Sequence, residues 1–294
     1  EGKEAYGKTL ERLGGPTLDG YYPILRTQYT DNAGIKYSQE SFAARYPGMD
    51  HIVAFVRLTA SGKASTQLRI KLAGTSDEHI RCSGSPERTE DGFLYDVELP
   101  EGVERTEYFL WSPKSPFPNG SKVDIGVYEE GKEACKRYWD GILSKRAVFD
   151  VPEPLVMDVQ RNHLIQNLIM RHRYSLGAVV YHDSYFQPES NDSVSTLGMF
   201  GYTESFRDAI AQLVGLSKGE QYYANWERGE KLSHAAHYYF LTRDAEYFAK
   251  HTPEYAAICE QLAAQIEKDP NGILIKQRHC GDIPTIAYCT FHQT

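Results

Sequence analysis

The sequence lacks the features that mark several classes of protein. It has no apolar run long enough to cross a bilayer, no glycine-rich loop of the kind that holds phosphates, and no G-x-S-x-G segment. Its five cysteines do not have the close spacing of metal ligands, so they indicate free thiols and no disulfide framework. Acidic residues outnumber basic ones, giving a formal net charge of -8, which argues against nucleic acid or an anionic membrane as a partner. The sequence therefore predicts neither a cofactor nor a metal.

Tyrosine, in contrast, is abundant. The chain has 21 tyrosines among 294 residues, and aromatic residues make up 12% of it. A tyrosine offers an apolar ring with a polar tip, which suits the apolar faces and the hydroxyls of a sugar. An uncharged, hydroxyl-rich ligand therefore fits both the charge and the composition. The length is sufficient for two domains.

The first part of the chain has the pattern of β-strands. Short segments of alternating or β-branched apolar residues are separated by turn residues such as Ser61-Gly62 and Pro118-Asn119-Gly120. This spacing is typical of an antiparallel β-sandwich, which we predict for residues 1–130. The predicted strands include residues 52–59, 66–72, 93–99, 107–111 and 123–128.

The second part has the pattern of helices. Residues 131–154 are predicted to be a helical linker that ends in a proline-stiffened extended segment. Only residues 201–202 separate two of the later helices, so these two must fold back on each other as a hairpin. The predicted helices lie near residues 164–169, 193–201, 203–215, 229–241 and 252–268, and a last one begins after Pro284.

Three polar segments rich in carboxylates lead into helices of this second part, at residues 185–192, 222–230 and 276–282. Alternate helices in a stack of hairpins begin at the same end, so the three segments should share one rim. A carboxylate at the start of a helix is most often a cap, and the prediction therefore rests on the three segments together. The predicted sugar-binding residues are Tyr185, Glu189, Asp192, Trp226, Arg228 and Arg278.

Each type of side chain in this set has a role with a sugar. Trp226 would stack on a pyranose ring, carboxylates would bind hydroxyls, and the arginines would hydrogen-bond a hydroxyl or orient an acid. Cleavage of a glycosidic bond needs a protonated carboxyl group and a second carboxylate. His234 and His237 with Glu230 suggest metal ligands, but a packed helix explains this spacing better because the ligand set is incomplete.

Several motifs resemble those of the six-hairpin glycosidases. These enzymes join a β-sandwich through a short linker to an (α/α)6 toroid, and they include glucoamylase-like, glycosyl-phosphorylase-like and α-L-rhamnosidase-like members. Residues 148–164 are similar to the passage from sandwich to toroid. Residues 189–201, residues 225–229, and residues 272–276 with 280–283 are similar to the sugar-binding segments of the first three hairpins.

The resemblance implies a two-domain α+β protein, with the first hairpins of a partial toroid at residues 155–294. It also implies a glycoside hydrolase that inverts configuration and acts on an oligosaccharide or glycoside. Asp282 is the first choice for the general acid, although the glucoamylase-like enzymes usually use Glu, and Glu227 is the second. The catalytic base is expected in a later hairpin, so the chain is expected to be a fragment. The alternatives are a phosphorylase of the same fold and a non-catalytic carbohydrate-binding protein.

Overall fold

The computed structural model describes residues 17–73, 76–90, 92–148, 150–170, 195–216, 224–278 and 285–288. The protein is a mixed α+β protein with antiparallel β-sheets in its amino-terminal part and helices after them. Two compact units are distinguished. The first contains Glu1–Ser144 and Val151–Asn162, and the second contains Lys145–Asp150 and His163–Thr294.

The first unit contains two antiparallel sheets. The six-stranded sheet has the order β1-β2-β3-β4-β9-β6, and the three-stranded sheet has the order β5-β8-β7. The strands predicted at residues 52–59, 66–72, 93–99 and 107–111 are confirmed as β4, β5, β8 and β9. The strands are β1 (Thr17–Leu18), β2 (Tyr22–Thr30), β3 (Lys36–Arg45), β4 (Ile52–Ser61), β5 (Thr66–Ala73), β6 (Ile80–Cys82), β7 (Glu87–Thr89), β8 (Gly92–Leu99) and β9 (Glu104–Trp111).

Helix α1 (Ile125–Leu143) packs on one face of the six-stranded sheet. Phe42 and Phe55 lie opposite each other on β3 and β4 and stack at 5.0 Å, and the ring of Tyr128 meets Phe42 edge-on at 5.2 Å. Gly131 leaves room for this contact, because a Cβ at that position would lie 2.6 Å from Phe55 Cε1.

The strand predicted at residues 123–128 is wrong, because α1 begins at Ile125. The Asp124 side chain accepts a hydrogen bond of 2.9 Å from the Val127 backbone N–H and caps the helix. The following buried residues, including Tyr128, Cys135 and Trp139, have helical spacing. The alternating segment at residues 123–128 is too short to show the helical period of the residues that follow it.

The opposite face of the six-stranded sheet shares a hydrophobic core with the three-stranded sheet. Tyr37 and Phe109 contribute from the first sheet, and Leu68, Val97 and Leu99 contribute from the second. Cys82 and Cys135 of this unit, and Cys259 of the other, are free thiols, as predicted for these three.

The second unit is mainly helical. Residues 195–199 are helical, and three helices share a core that contains Phe206, Ile210, Leu213, Tyr238 and Tyr247. A two-stranded antiparallel sheet follows them. No helix of the described residues is long and apolar enough to cross a membrane. The remaining elements of the chain are α2 (Pro154–Met170), whose residues 154–162 belong to the first unit, α3 (Thr203–Leu213), α4 (Ala224–Thr242), α5 (Ala245–Lys268), β10 (Gln277–Arg278) and β11 (Ile286–Ala287).

The predicted start of α5 at residue 252 is wrong, because the helix begins at Ala245 and runs through Pro253. The Asp244 side chain caps it by accepting from the Tyr247 backbone N–H at 3.0 Å. Proline usually marks a first turn, but here the buried face continues on both sides of Pro253 through Tyr247 and Tyr255. This packing outweighs the lost backbone hydrogen bond. The end of the helix at Lys268 agrees with the prediction.

The helix predicted after Pro284 is also wrong where the structure describes it. Ile286 and Ala287 form β11, which pairs antiparallel with β10. The backbone groups of these residues are satisfied by a partner strand that precedes them by several residues, and local apolar spacing does not report such a partner.

Candidate functional site

Four of the predicted site residues lie in the structure, and four lie outside the described residues. Tyr185, Glu189, Asp192 and Asp282 belong to the second group, so the first predicted segment has no described member. Trp226, Glu227, Arg228 and Arg278 are described.

The segment predicted as a loop at residues 222–230 is helical from Ala224 onward, and that part of the prediction is wrong. The helix begins earlier than predicted because a residue of another element accepts a hydrogen bond from a backbone N–H of its first turn. The backbone N–H of Asn225, which has no partner within a helix, donates to Gln277 Oε1 at 2.8 Å. Trp226, Glu227 and Arg228 therefore project from a fixed helical turn.

A polar network, buried at Asn225 and Gln277 and more open at Gln261, surrounds this turn. The side-chain amides of Asn225 and Gln265 exchange two hydrogen bonds, at 2.7 and 3.0 Å. Arg228 donates from Nη1 to Asn225 Oδ1 at 2.8 Å and from Nε to Gln261 Oε1 at 3.0 Å. Together with Gln277, these bonds join α4, α5 and β10, so the position of the first turn of α4 is determined by three elements.

Glu227 lies on the buried face of α4 and is only 2% exposed. Lys231 follows it by one helical turn on the same face, is also buried, and donates a hydrogen bond to the Leu216 backbone carbonyl. Burial lowers the pKa of the Lys231 ammonium, and the negative charge of Glu227 partly offsets this effect. The site thus contains a carboxyl group and an ammonium group that are both removed from water.

The indole ring of Trp226 is held by its own helix. Its Nε1–H donates to Glu230 Oε1 at 3.0 Å, and Glu230 Oε2 is 3.1 Å from His234 Nε2. His237 packs with its ring centroid 5.7 Å from that of Phe206. The His and Glu spacing noted in the sequence is therefore used for hydrogen bonding and packing. Within the described ranges, no group of three or more His, Cys, Asp or Glu side chains is arranged to hold a metal ion.

Two residues of the third predicted segment, Gln277 and Arg278, form β10. Gln277 is paired with Ala287 and Arg278 with Ile286 of β11. Gln277 also binds Asn225 at the start of α4. The structure therefore brings the second and third predicted segments together through this pair.

An open cleft of about 370 Å³ lies beside the network. Amides, two cationic groups and a carboxylate border it, and such a mixture of donors and acceptors suits a ligand with several hydroxyls. The residues lining the cleft include Arg228, Gln261, Gln265, Lys268, Asp269 and Ile275.

Sequence reasoning missed the residues that hold the site in place. Gln261 and Gln265 are one turn apart on α5 and face the Asn225 and Arg228 pair on α4. In the sequence, Gln261 and Gln265 are four residues apart and Asn225 and Arg228 are three residues apart, so each pair could be placed on one helix face. Their partnership across two helices was not visible, and nothing in the sequence singled out Gln277.

Comparisons with known proteins give no family for this chain. A search with protein-family models found no match, and a search of curated proteins found no sequence with significant similarity.

Proposed function

We propose that this chain is the sugar-binding part of a glycoside hydrolase with an (α/α)6 toroid. In this proposal the two sheets form an accessory β-sandwich, and the helices after them form the first hairpins of the toroid. The observation that carries the proposal is a contact between the second and third predicted segments. The Asn225 backbone N–H and Gln277 Oε1 are 2.8 Å apart, which joins the turn that bears Glu227 to the strand that leads to Asp282.

The chemistry of glycoside cleavage explains why such a place is suitable. A general acid must stay protonated near neutral pH until it donates to the glycosidic oxygen. In an inverting enzyme a second carboxylate then activates water on the opposite face of the sugar ring. Asp282 is the proposed acid, Glu227 is the second candidate, and the base is proposed to come from another hairpin.

Binding of the sugar is proposed to use the surroundings of the same turn. Trp226 would stack on a pyranose ring. The hydrogen bond from its indole N–H to Glu230 would keep the ring in one orientation for this contact. Arg228 and Arg278 would orient hydroxyls at the rim, and Glu189 and Asp192 would complete the subsite. The amides that border the cleft beside Arg228 would add neutral donors and acceptors.

The test is leaving-group dependence in the full-length protein. Asp282→Asn and Glu227→Gln are each compared with the parent on a dinitrophenyl glycoside, which needs no proton for departure, and on the matching phenyl glycoside, which does. Loss of the true acid should lower kcat on the phenyl glycoside by about 10²–10⁴-fold and affect the dinitrophenyl glycoside much less. The basic limb of the pH–rate profile should disappear in the same variant.

Glu260→Gln is the matched control, because this carboxylate is exposed on α5. If both Asp282→Asn and Glu227→Gln keep the parent leaving-group dependence, neither residue is the acid. If Glu227 only balances the charge of Lys231, then Glu227→Gln will lower the melting temperature and leave kcat unchanged. Absence of hydrolysis by the folded parent across a panel of aryl glycosides, with and without inorganic phosphate, would overturn the enzymatic proposal.

A further inference from the structure

A long cleft lies between the two sheets of the first unit. The residues that line it are far along the sequence from those proposed for catalysis. Its volume is about 1070 Å³. One wall is the strand β5, and the floor is the face of the six-stranded sheet that bears Val56 and Leu58. Residues directly opposite each other in an antiparallel sheet share a face, so Phe109 and Gln39, the partners of Val56 and Leu58, belong to the same floor.

The sheets separate along this cleft. Leu68 is buried between them, whereas Ile70 and Leu72 on the same face of β5 are only half-buried, as are Val56 and Leu58 opposite. Apolar residues that face inward between two sheets are normally covered completely. These four side chains pack against the core on one side and give the cleft an apolar lining on the other.

Aromatic side chains stand near the two ends of the cleft. Trp111 is 47% exposed and lies in the row of Ala54. Tyr29, which is half-buried and stacks on the buried ring of Tyr37 with the centroids 4.6 Å apart, lies in the row of Ala60. The two rows are six residue steps apart on β4, which corresponds to about 20 Å along the strand. Flat aromatic surfaces separated by this length match a chain of several sugar rings.

Two charged groups that border the cleft, Asp31 and Arg69, are engaged in hydrogen bonds within the protein. The Asp31 carboxylate accepts from the backbone N–H groups of Ala33 and Ile35, both at 2.9 Å, and from the Tyr37 hydroxyl at 3.2 Å. Arg69 makes two hydrogen bonds to Asp96, at 2.8 and 2.9 Å.

Lys71 also borders the cleft, and because it alternates with Ile70 and Leu72 its side chain leaves the opposite face of β5. The other groups along the cleft that can meet a ligand include aromatic rings, aliphatic side chains, the hydroxyls of Thr27 and Thr66 and the amide of Gln39, and these three residues are exposed. This composition favours a ligand that is uncharged and bears hydroxyl groups.

We propose that this inter-sheet cleft binds a neutral glycan chain and acts as a second carbohydrate site, distinct from the catalytic one. The choice of a glycan as the occupant rests on the proposed function. The cleft would hold a polymer by its non-reacting part while another part of it is cleaved.

The test is affinity gel electrophoresis of the full-length protein in gels that contain galactomannan, xylan, mixed-linkage β-glucan or amylose. The runs use a background in which both candidate acids are replaced, Asp282→Asn with Glu227→Gln, so that digestion of the polysaccharide is suppressed. At least one polysaccharide should retard the protein, and Trp111→Ala and Gln39→Ala should each weaken this binding, the former by about tenfold. Tyr138→Ala is the control, because Tyr138 is 61% exposed on α1.

The outcomes separate this site from the proposed catalytic one. Trp111→Ala should still cleave small aryl glycosides at the parent rate, whereas Glu227→Gln should keep the gel retardation. The inference is overturned if no polysaccharide retards the protein, or if both cleft variants are retarded like the parent while their melting temperatures are normal. Selection of an extended peptide whose binding requires Trp111, with no polysaccharide bound, would also overturn it.

Discussion

Replacing Glu40 by Gln is expected to weaken the attachment of α1 to the six-stranded sheet. Glu40 is 2% exposed on β3 and accepts hydrogen bonds from Arg26 Nε at 2.8 Å, Lys132 Nζ at 2.7 Å and the Tyr128 hydroxyl at 3.1 Å. Arg57 Nη2 lies 3.1 Å from the same carboxylate. One buried carboxylate therefore interacts with three cationic side chains, and of these Lys132 belongs to α1.

The magnitude follows from the exposure of the cations. Removing one partner of a buried ion pair costs about 3–5 kcal/mol. The side chain of Lys132 is 12% exposed, whereas those of Arg57 and Arg26 are 30% and 43% exposed, so water screens the two arginines. The amide of Gln keeps an acceptor oxygen. We therefore expect Glu40→Gln to lower the free energy of unfolding of the first unit by about 2–3 kcal/mol.

The effect should depend on pH in a defined direction. Burial raises the pKa of Glu40, but the hydrogen bonds from Lys132 and Arg26 and the charge of Arg57 outweigh burial and hold this pKa below its ordinary value. The stabilisation is fully present above the pKa of an unfolded glutamate, about 4.3. It is lost as the pH falls through the lower pKa of the folded state. The parent and the variant should therefore differ most at neutral pH and converge in acid.

The assay is urea unfolding followed by the fluorescence of Trp139, which is buried in α1, with Trp111 and Trp226 replaced by Phe. A probe in one unit is needed because a chain with two compact units need not unfold in one step. Glu129→Gln is the control, since Glu129 is 44% exposed and lies 3.3 Å from Arg57. A loss below about 0.5 kcal/mol for Glu40→Gln, or a difference that stays constant into acid, would refute the reasoning.

Two further predictions concern backbone positions, and both are checked by the melting temperature. Gly131→Ala should destabilise by about 1–3 kcal/mol, because the new Cβ would collide with Phe55. Gly141→Ala in the same helix meets nothing within 4 Å and should stabilise by up to about 1 kcal/mol, and equal effects of the two changes would contradict this reasoning. Pro253→Ala should stabilise by about 1–2 kcal/mol by restoring a hydrogen bond to the Ala249 carbonyl inside α5, and a lower melting temperature would show that Pro253 is not strained there.

Much of the amino-terminal architecture could be predicted from the sequence because its signals are local. The alternation of Leu68, Ile70 and Leu72 on β5 reports one buried face directly. The antiparallel pairing and the change to helices later in the chain followed from the same kind of pattern. The start of α1 was missed because a single capping residue, Asp124, decides it, and its effect is visible only together with the helical face that follows.

The boundaries of α4 and α5 illustrate what local patterns leave out. Thr252-Pro253 is a good signal for a helix start, yet the Thr252 hydroxyl donates to the Phe248 carbonyl at 2.5 Å inside a continuous helix. The choice between a break and a continuous helix depends on the core formed by Tyr247, Tyr255 and Ile258. Such packing involves residues from three helices, and no window of sequence around Pro253 contains them.

The candidate site shows the same limit for function. The sequence drew attention to residues 225–228 because their charges and aromatic ring suit a sugar, and the structure adds that the turn bearing them is held by hydrogen bonds to two other elements. Gln277, which is 4% exposed, reaches across 52 residues to the Asn225 backbone, and a buried glutamine at this place has no signature in its own neighbourhood. Residues that contact a ligand are often recognisable in the sequence by their chemical type. The residues that position them are common side chains, and only their contacts in the folded structure distinguish them. A search for function in this fold should therefore begin with the amides that join α4, α5 and β10, because their geometry determines where the turn that bears Glu227 is placed.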